Sequence, residues 1–260
     1  MFSVFTPVAR RILAGVVLLA TLIPVSAVAE QRPLKVGLPA QYPPLAYQQE
    51  GRYVGIEPDN ATAVGKIIGR EMRFIDMPFT RLIHALESGE IDIIMTGMSI
   101  TEERSRLISF ADPFLDIGQM GIVHVSKAGV FAKPWAIYQE GVRVGVEAGT
   151  TGALFAEREL PDAQIQFFVD AQAAFAGLRR DAIDVYIHDA PTSWMLATTG
   201  DGDDLIGLYH PLTEESLAWA VRKTDHRLLE ELNGALQTMR SSGTLRYILN
   251  RWIPVEINTQ

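Results

Sequence analysis

The residues equipped for chemistry in this chain sit in short polar segments that directly follow apolar runs. Tyr42 lies in Pro39-Ala40-Gln41-Tyr42-Pro43-Pro44. Gly97, Ser99 and Arg104 lie in Thr96-Gly97-Met98-Ser99-Ile100-Thr101-Glu102-Glu103-Arg104. Glu147 leads into Ala148-Gly149-Thr150-Thr151-Gly152, and Asp189 follows Ile183–His188. Together they bring hydroxyls, glycines, an aromatic ring, an arginine and an aspartate, a set suited to holding a small polar molecule. Gly149-Thr150-Thr151 opens a helix whose first amides suit an anion, or it is simply a helix cap. Ser99-x-x-Glu102 also fits a capping box, Arg104 a solvated helix position, and Asp189 a cap for a helix starting at Ala190. What unites these residues is their place at strand ends, where open parallel sheets bind ligands.

The positioning elements follow from hydrophobic period. Leu34–Leu38, Met72–Asp76 and Ile91–Met95 read as strands, with helical stripes at Asp59–Gly69 and from Phe79 to Leu86 between them. The order then recurs: strand Val142–Glu147, helix Thr150–Glu159, strand Ile165–Val169, helix Ala171–Arg180, strand Ile183–His188. Local text echoes too, Lys35-Val36-Gly37 against Arg143-Val144-Gly145 and Ile91-Asp92-Ile93 against Ile183-Asp184-Val185. Strand–helix alternation of this kind is the pattern of a parallel sheet, and its repetition predicts two related α/β lobes. Leu217–Val221 reads as a further strand. The stripe Leu228, Leu229, Leu232, Ala235, Leu236, Met239 and then Thr244–Trp252 read as closing helices. The simplest layout places residues 34–116 with 216–257 in one lobe and 117–215 in the other, with two chain crossings as the hinge.

Composition narrows the chemistry. The 260 residues include no cysteine, which removes thiol nucleophiles, disulfides, Cys-ligated metal and a lipid-modified N-terminal Cys. The formal charge is −8 with no basic run, which argues against nucleic acid. The five histidines show no ligand spacing, so neither a metal nor a cofactor is expected. Residues 1–29 read as a cleavable secretory signal: Arg10-Arg11, an apolar run from Ile12 to Val25, then Ala27-Val28-Ala29. The expectation is an acidic periplasmic protein without a lipid anchor.

Several segments in order resemble family 3 extracellular solute-binding proteins, the receptors of ATP-driven polar amino acid importers. They are Tyr42-Pro43-Pro44, Val54-Gly55-Ile56-Glu57, Leu86-Glu87-Ser88-Gly89-x-Ile91-Asp92, and Gly97-Met98-Ser99-Ile100-Thr101-x-x-Arg104. Phe110-Ala111-Asp112-Pro113-Phe114, Val144-Gly145-x-x-x-Gly149-Thr150-Thr151 and Ala220-Val221-Arg222-Lys223 continue the set, as does Gly243-Thr244 before Trp252. The resemblance implies a two-lobed α/β fold with a two-strand hinge, closing on an α-amino acid. It implies that Arg104 clamps the α-carboxylate, helped by amides and hydroxyls of Thr151 and Thr150. Ser99, the Gly97 carbonyl and Asp189 would take the α-ammonium, Tyr42 and Phe79 would wall the side-chain pocket, and Thr96 would lie on its floor. An importer permease and a monomeric state are implied likewise. Two positions depart from the family pattern: Pro39 stands where many of these receptors carry an acidic residue before Tyr-Pro-Pro, and Glu147 stands where they are usually neutral. Glu147 either points to solvent or faces the pocket; in the second case one negative charge has moved from one lobe to the other, which is compatible with a cationic or amine-bearing side chain.

Two other classes compete. A dehydratase on the same scaffold, resembling cyclohexadienyl dehydratases, would use Glu147 and His188 as acid and base. Strand alternation argues against it, pointing His188 away from Asp189, and no GxSxG, HExxH, Walker or GxGxxG motif is present. A soluble sensor for a membrane receptor would use the same lobes.

Overall fold

Two five-stranded sheets share one plan. The first orders its strands Met72–Asp76, Leu34–Leu38, Ile93–Ile94, Ala220–Arg222, Ile108–Phe110; the second orders them Gln164–Phe168, Arg143–Glu147, Val185–Asp189, Gln119–His124, Leu205–Gly207. In each, the first three strands are parallel, the fourth is antiparallel to the third, and the fifth is antiparallel to the fourth. The computed structural model describes residues 1–2, 32–196 and 204–253. The segment read as a signal therefore lies, past its first two residues, outside the described part. Among the described residues no helix is long and apolar enough to cross a membrane.

The sequence echoes have a structural cause. At the start of the third strand in each sheet an aspartate exchanges backbone and side-chain bonds with the strand beside it. Asp92 N donates to Lys35 O at 2.8 Å and its carboxylate takes the Lys35 amide at 3.0 Å; Asp184 repeats this on Arg143 at 2.8 and 2.9 Å. Gly37 and Gly145 are likewise equivalent. A Cβ on either would stand 2.4 Å from Ile91 Cδ1 or 2.5 Å from Ile183 Cδ1, so each glycine makes room for the isoleucine that leads into the neighbouring strand. The two lobes are thus one packing solution used twice.

The chain passes between the sheets twice, where Leu115–Ile117 pairs antiparallel with Glu215–Leu217. The strand expected over Leu217–Val221 is accordingly two strands, because its partner changes at Ala218-Trp219 from the crossing to Ile108–Phe110. Trp219 is fully buried there, stacked on Phe114 at 5.7 Å between centroids. The helix expected from Asp59 begins earlier, at Ile56, since Pro58 in the first turn needs no amide partner. Of Ile91–Met95 only Ile93–Ile94 joins the ladder. The antiparallel strands Gln119–His124 and Leu205–Gly207 have no alternation to betray them; the first is buried on both faces almost throughout.

Candidate functional site

At the carboxyl ends of the parallel strands the two lobes face each other across a cavity of about 790 Å³. Nine of the ten residues singled out from the sequence line it: Tyr42, Phe79, Gly97, Ser99, Arg104, Glu147, Thr150, Thr151 and Asp189. Thr96 does not. It is fully buried with no partner for Oγ1, pointing into the lobe while Gly97 turns the chain at φ +66° toward the cleft. The structure thus does not bring Thr96 to the cavity wall, where Gly97 stands instead.

Arg104 sits one turn into the helix Glu102–Leu107, only 7% exposed. The cap of that helix is Thr101, whose Oγ1 accepts the Arg104 amide at 3.1 Å, so Ser99 is not the capping residue. Arg104 donates from Nη1 to Ser99 O at 2.7 Å and, across the cleft, from Nη2 to Gly149 O at 3.0 Å. Its guanidinium lies 5.3 Å from the Phe79 ring centroid. Burial lowers its pKa, with Asp189, Glu215 and Glu103 pulling the other way. Gly149 meets Arg104 and Thr80 with φ +76°, a backbone that favours glycine.

Asp189 ends its strand with Oδ2 bonded to Tyr42 Oη across the cleft and Oδ1 to Gln119 Nε2. Its carboxylate is thus engaged laterally in the cleft by side chains of both lobes. Burial raises its pKa, against His188, Tyr42 and Gln119, with Glu215 adding repulsion. Thr150 is a true cap: Oγ1 accepts Ala153 N at 3.1 Å and donates to Glu147 O at 2.7 Å. That leaves the Thr151 and Gly152 amides of the helix Thr151–Glu159 without intrahelical acceptors.

Glu147 faces the cleft, where Tyr186 Oη donates to it and His188 Nε2 lies 3.3 Å away. Burial pushes the Glu147 carboxyl up, but His188 and Tyr186 outweigh it and the net shift is down. Burial pushes His188 down, yet Glu147 and Asp189 carry it above its ordinary value. The expectation that His188 points away from Asp189 is overturned: the His188 ring packs edge-on to Tyr42 at 4.9 Å, and both residues line the cavity. Asp189 is still paired in the ladder, opposite Gln119, so the two neighbours reach the cavity from within one strand.

Two residues went unread in the sequence. Gln119 joins Asp189 to Thr151 Oγ1, and Glu215 joins Ser99 to Thr151. Both lie at the chain crossings, in strands too short or too uniformly buried to show a period. The wall also carries Asp76, whose Oδ1 accepts the Ala40 amide at 3.0 Å, and Asp170, whose Oδ1 accepts the Ala173 amide at 2.8 Å and caps the helix Ala171–Arg179. Among the described residues no cluster of three or more His, Asp or Glu could hold a metal.

A two-lobed α/β molecule with paired charges in the cleft between its lobes is built as a receptor for a small solute. The family model for bacterial extracellular solute-binding proteins, family 3, matches residues 34–255, and the chain belongs to that family. It is 29% identical over 225 residues to the ABC transporter arginine-binding protein 1 of Escherichia coli (strain K12), covering 85% of this chain and 90% of that one. Among solved structures, an ancestral amino acid-binding protein described as a precursor of cyclohexadienyl dehydratase superposes with TM-score 0.80 at 31% identity, over 85% of this chain and 95% of that one. An ancestral arginine-binding protein bound to arginine gives 0.78 at 30%, over 86% and 99%.

Proposed function

We propose that this chain is the amino acid-binding component of an ABC importer and that its preferred ligand is a cationic α-amino acid. The observation that carries the side-chain preference is the imbalance of the cleft wall, where Asp76, Glu147, Asp170 and Asp189 outnumber the cations. A zwitterion leaving water needs a partner for each charge. Arg104 with the first amides of Thr151–Glu159 takes the α-carboxylate; Asp189, Ser99 and the Gly97 carbonyl take the α-ammonium. Tyr42 and Phe79 flank the side chain, and Asp76 and Asp170, the wall carboxylates left once Glu147 is paired with His188, favour a positive end. The arginine-binding relatives support the same class.

We take residues 34–116 with 216–257 as one lobe and 117–215 as the other, export to the periplasm with removal of residues 1–29, and delivery by a monomer to a membrane permease. Thermal denaturation with each amino acid tests the ligand class. L-Arginine or L-lysine at 100 times its dissociation constant is expected to add about 2.7 kcal/mol. Equal stabilisation by neutral or acidic amino acids at the same concentration refutes the cationic assignment.

One solved neighbour is described as a dehydratase precursor, and Glu147 with His188 makes an acid–base pair. We read that pair as a mutually neutralising ion pair, since each holds the other toward its charged form. Incubation with prephenate is expected to leave it intact; turnover reverses the reading.

A further inference from the structure

Glu215 is not on the wall of the cleft, yet it holds two hydroxyls that are. Its Oε2 lies 2.5 Å from Ser99 Oγ and 2.7 Å from Thr151 Oγ1, and its Oε1 lies 2.7 Å from Thr213 Oγ1. The residue stands behind the site, where it lines a second cavity beside the chain crossings together with Asp116, Gly118 and Thr213. Ser99 belongs to one lobe, Thr151 to the other, and Glu215 to the crossing between them.

A carboxylate only accepts hydrogen bonds, and a hydroxyl has one hydrogen to give. Bonded to Glu215, Ser99 Oγ and Thr151 Oγ1 have given theirs. Ser99 Oγ keeps only lone pairs for the cleft. Thr151 Oγ1 is in the same condition and already accepts Gln119 Nε2 at 3.0 Å. The hydroxyl of Thr151 is therefore not free to donate to a ligand carboxylate, as the family resemblance implied; only its amide is.

Building on the amino acid-receptor reading, we infer that Glu215 is the positioning residue that fixes the polarity of the site. By drawing the hydroxyl hydrogens of Ser99 and Thr151 backward, it presents acceptors toward the α-ammonium. The α-carboxylate is left to Arg104 and the helix amides. Glu215 never touches the ligand, but it makes the cleft require an amine.

Calorimetry with L-arginine and with 5-guanidinopentanoate, which lacks only the α-amino group, separates orientation from packing. Wild-type protein is expected to prefer L-arginine by about 100-fold, the scale of a hydrogen-bonded charge. In Glu215→Ala the hydroxyls are free to rotate, and that preference is expected to fall by about 10-fold, mainly through weaker L-arginine binding. A residue that merely held the crossings together would weaken both ligands by one factor, and that outcome overturns the inference. Ser99→Ala is a second arm: it should show the same loss of preference, and adding Glu215→Ala to it should change the preference by less than about 3-fold. Full additivity of the two substitutions counts against the inference. L-Glutamine and its desamino counterpart serve identically if a neutral side chain proves to be preferred. A wild-type protein that binds no α-amino acid brings down the receptor reading and this inference together; amino acid binding with an unaltered preference in Glu215→Ala brings down the inference alone.

Discussion

Burying an arginine obliges the surrounding structure to answer its charge, and Arg104 is answered by two backbone carbonyls, one from each lobe, and an aromatic face. Those contacts fix the guanidinium plane before a ligand carboxylate arrives. Arg104→Ala should cost about 3–5 kcal/mol of L-arginine affinity, because a buried carboxylate is left unpaired. An unchanged dissociation constant in calorimetry would remove Arg104 from the site. Glu57 is a second buried charge, one step below the cleft. Its carboxylate accepts the Gly97 amide at 2.7 Å, Trp219 Nε1 at 3.0 Å and Asn60 Nδ2 at 3.3 Å. Burial pushes the carboxyl up from 4.5 to about 7, against the pull of those donors. Asn60 Oδ1 is buried without a partner, and a flipped amide would let it accept a proton carried by Glu57. The folded state thus binds more protons than the unfolded state between the two pKa values, so the contribution of Glu57 to stability falls as pH rises from about 4.5 to about 7. The loss is on the order of 3 kcal/mol. Denaturation of wild type and Glu57→Gln across this range should show the wild-type advantage shrinking with rising pH. A difference independent of pH contradicts the assignment.

At the scale of elements, what matters is that the same strand–helix–strand unit occurs twice with its glycine and aspartate in matching places. A methyl group at Gly145 would press on Ile183 and on Phe168, whose Cε2 would lie 3.0 Å from it. Gly145→Ala is therefore expected to destabilise by about 1–3 kcal/mol through overpacking, and Gly37→Ala by a similar amount. Adding Ile183→Val to Gly145→Ala should recover part of the loss in urea denaturation, whereas full additivity of the two costs argues against the contact. This unit was legible in the sequence because buried parallel strands are continuous apolar runs, and the polar residues after them mark the strand ends. Arg104, Ser99 and Asp189 were found in that way. Glu215 and Gln119 were not, for a physical reason. The pairing of Glu215–Leu217 with Leu115–Ile117 is set by a partner about a hundred residues away, and three residues carry no period. Glu215 beside Glu214 has the look of a solvated acidic pair until the crossings bring Ser99 and Thr151 to it. His188 and Asp189 are neighbours in one paired strand yet both line the cavity, so strand alternation alone does not tell which of them reaches it.

Among the described residues the two lobes meet through bonds that include two made by residues of the site. Tyr42 reaches Asp189, Arg104 reaches Gly149, and Thr192 Oγ1 donates to Pro43 O at 3.2 Å. Such bonds exist only when the lobes meet, so they bias an open–closed equilibrium that a ligand shifts further by touching both walls at once. Tyr42 separates these contributions, because its hydroxyl serves closure while its ring packs on His188. Burial, then the Asp189 charge, keeps that phenol protonated well beyond neutral pH, so it remains a donor throughout the working range. Tyr42→Phe keeps the ring and removes the donor. The closed form then loses one bond to a charged group, and the open form, where Asp189 meets water, loses little. The apparent dissociation constant for L-arginine should rise about 10-fold. Small-angle scattering should show the ligand-free variant more extended than wild type, and the two should coincide at saturation. Equal scattering without ligand, together with unchanged affinity, would mean that the Tyr42–Asp189 bond does not govern closure.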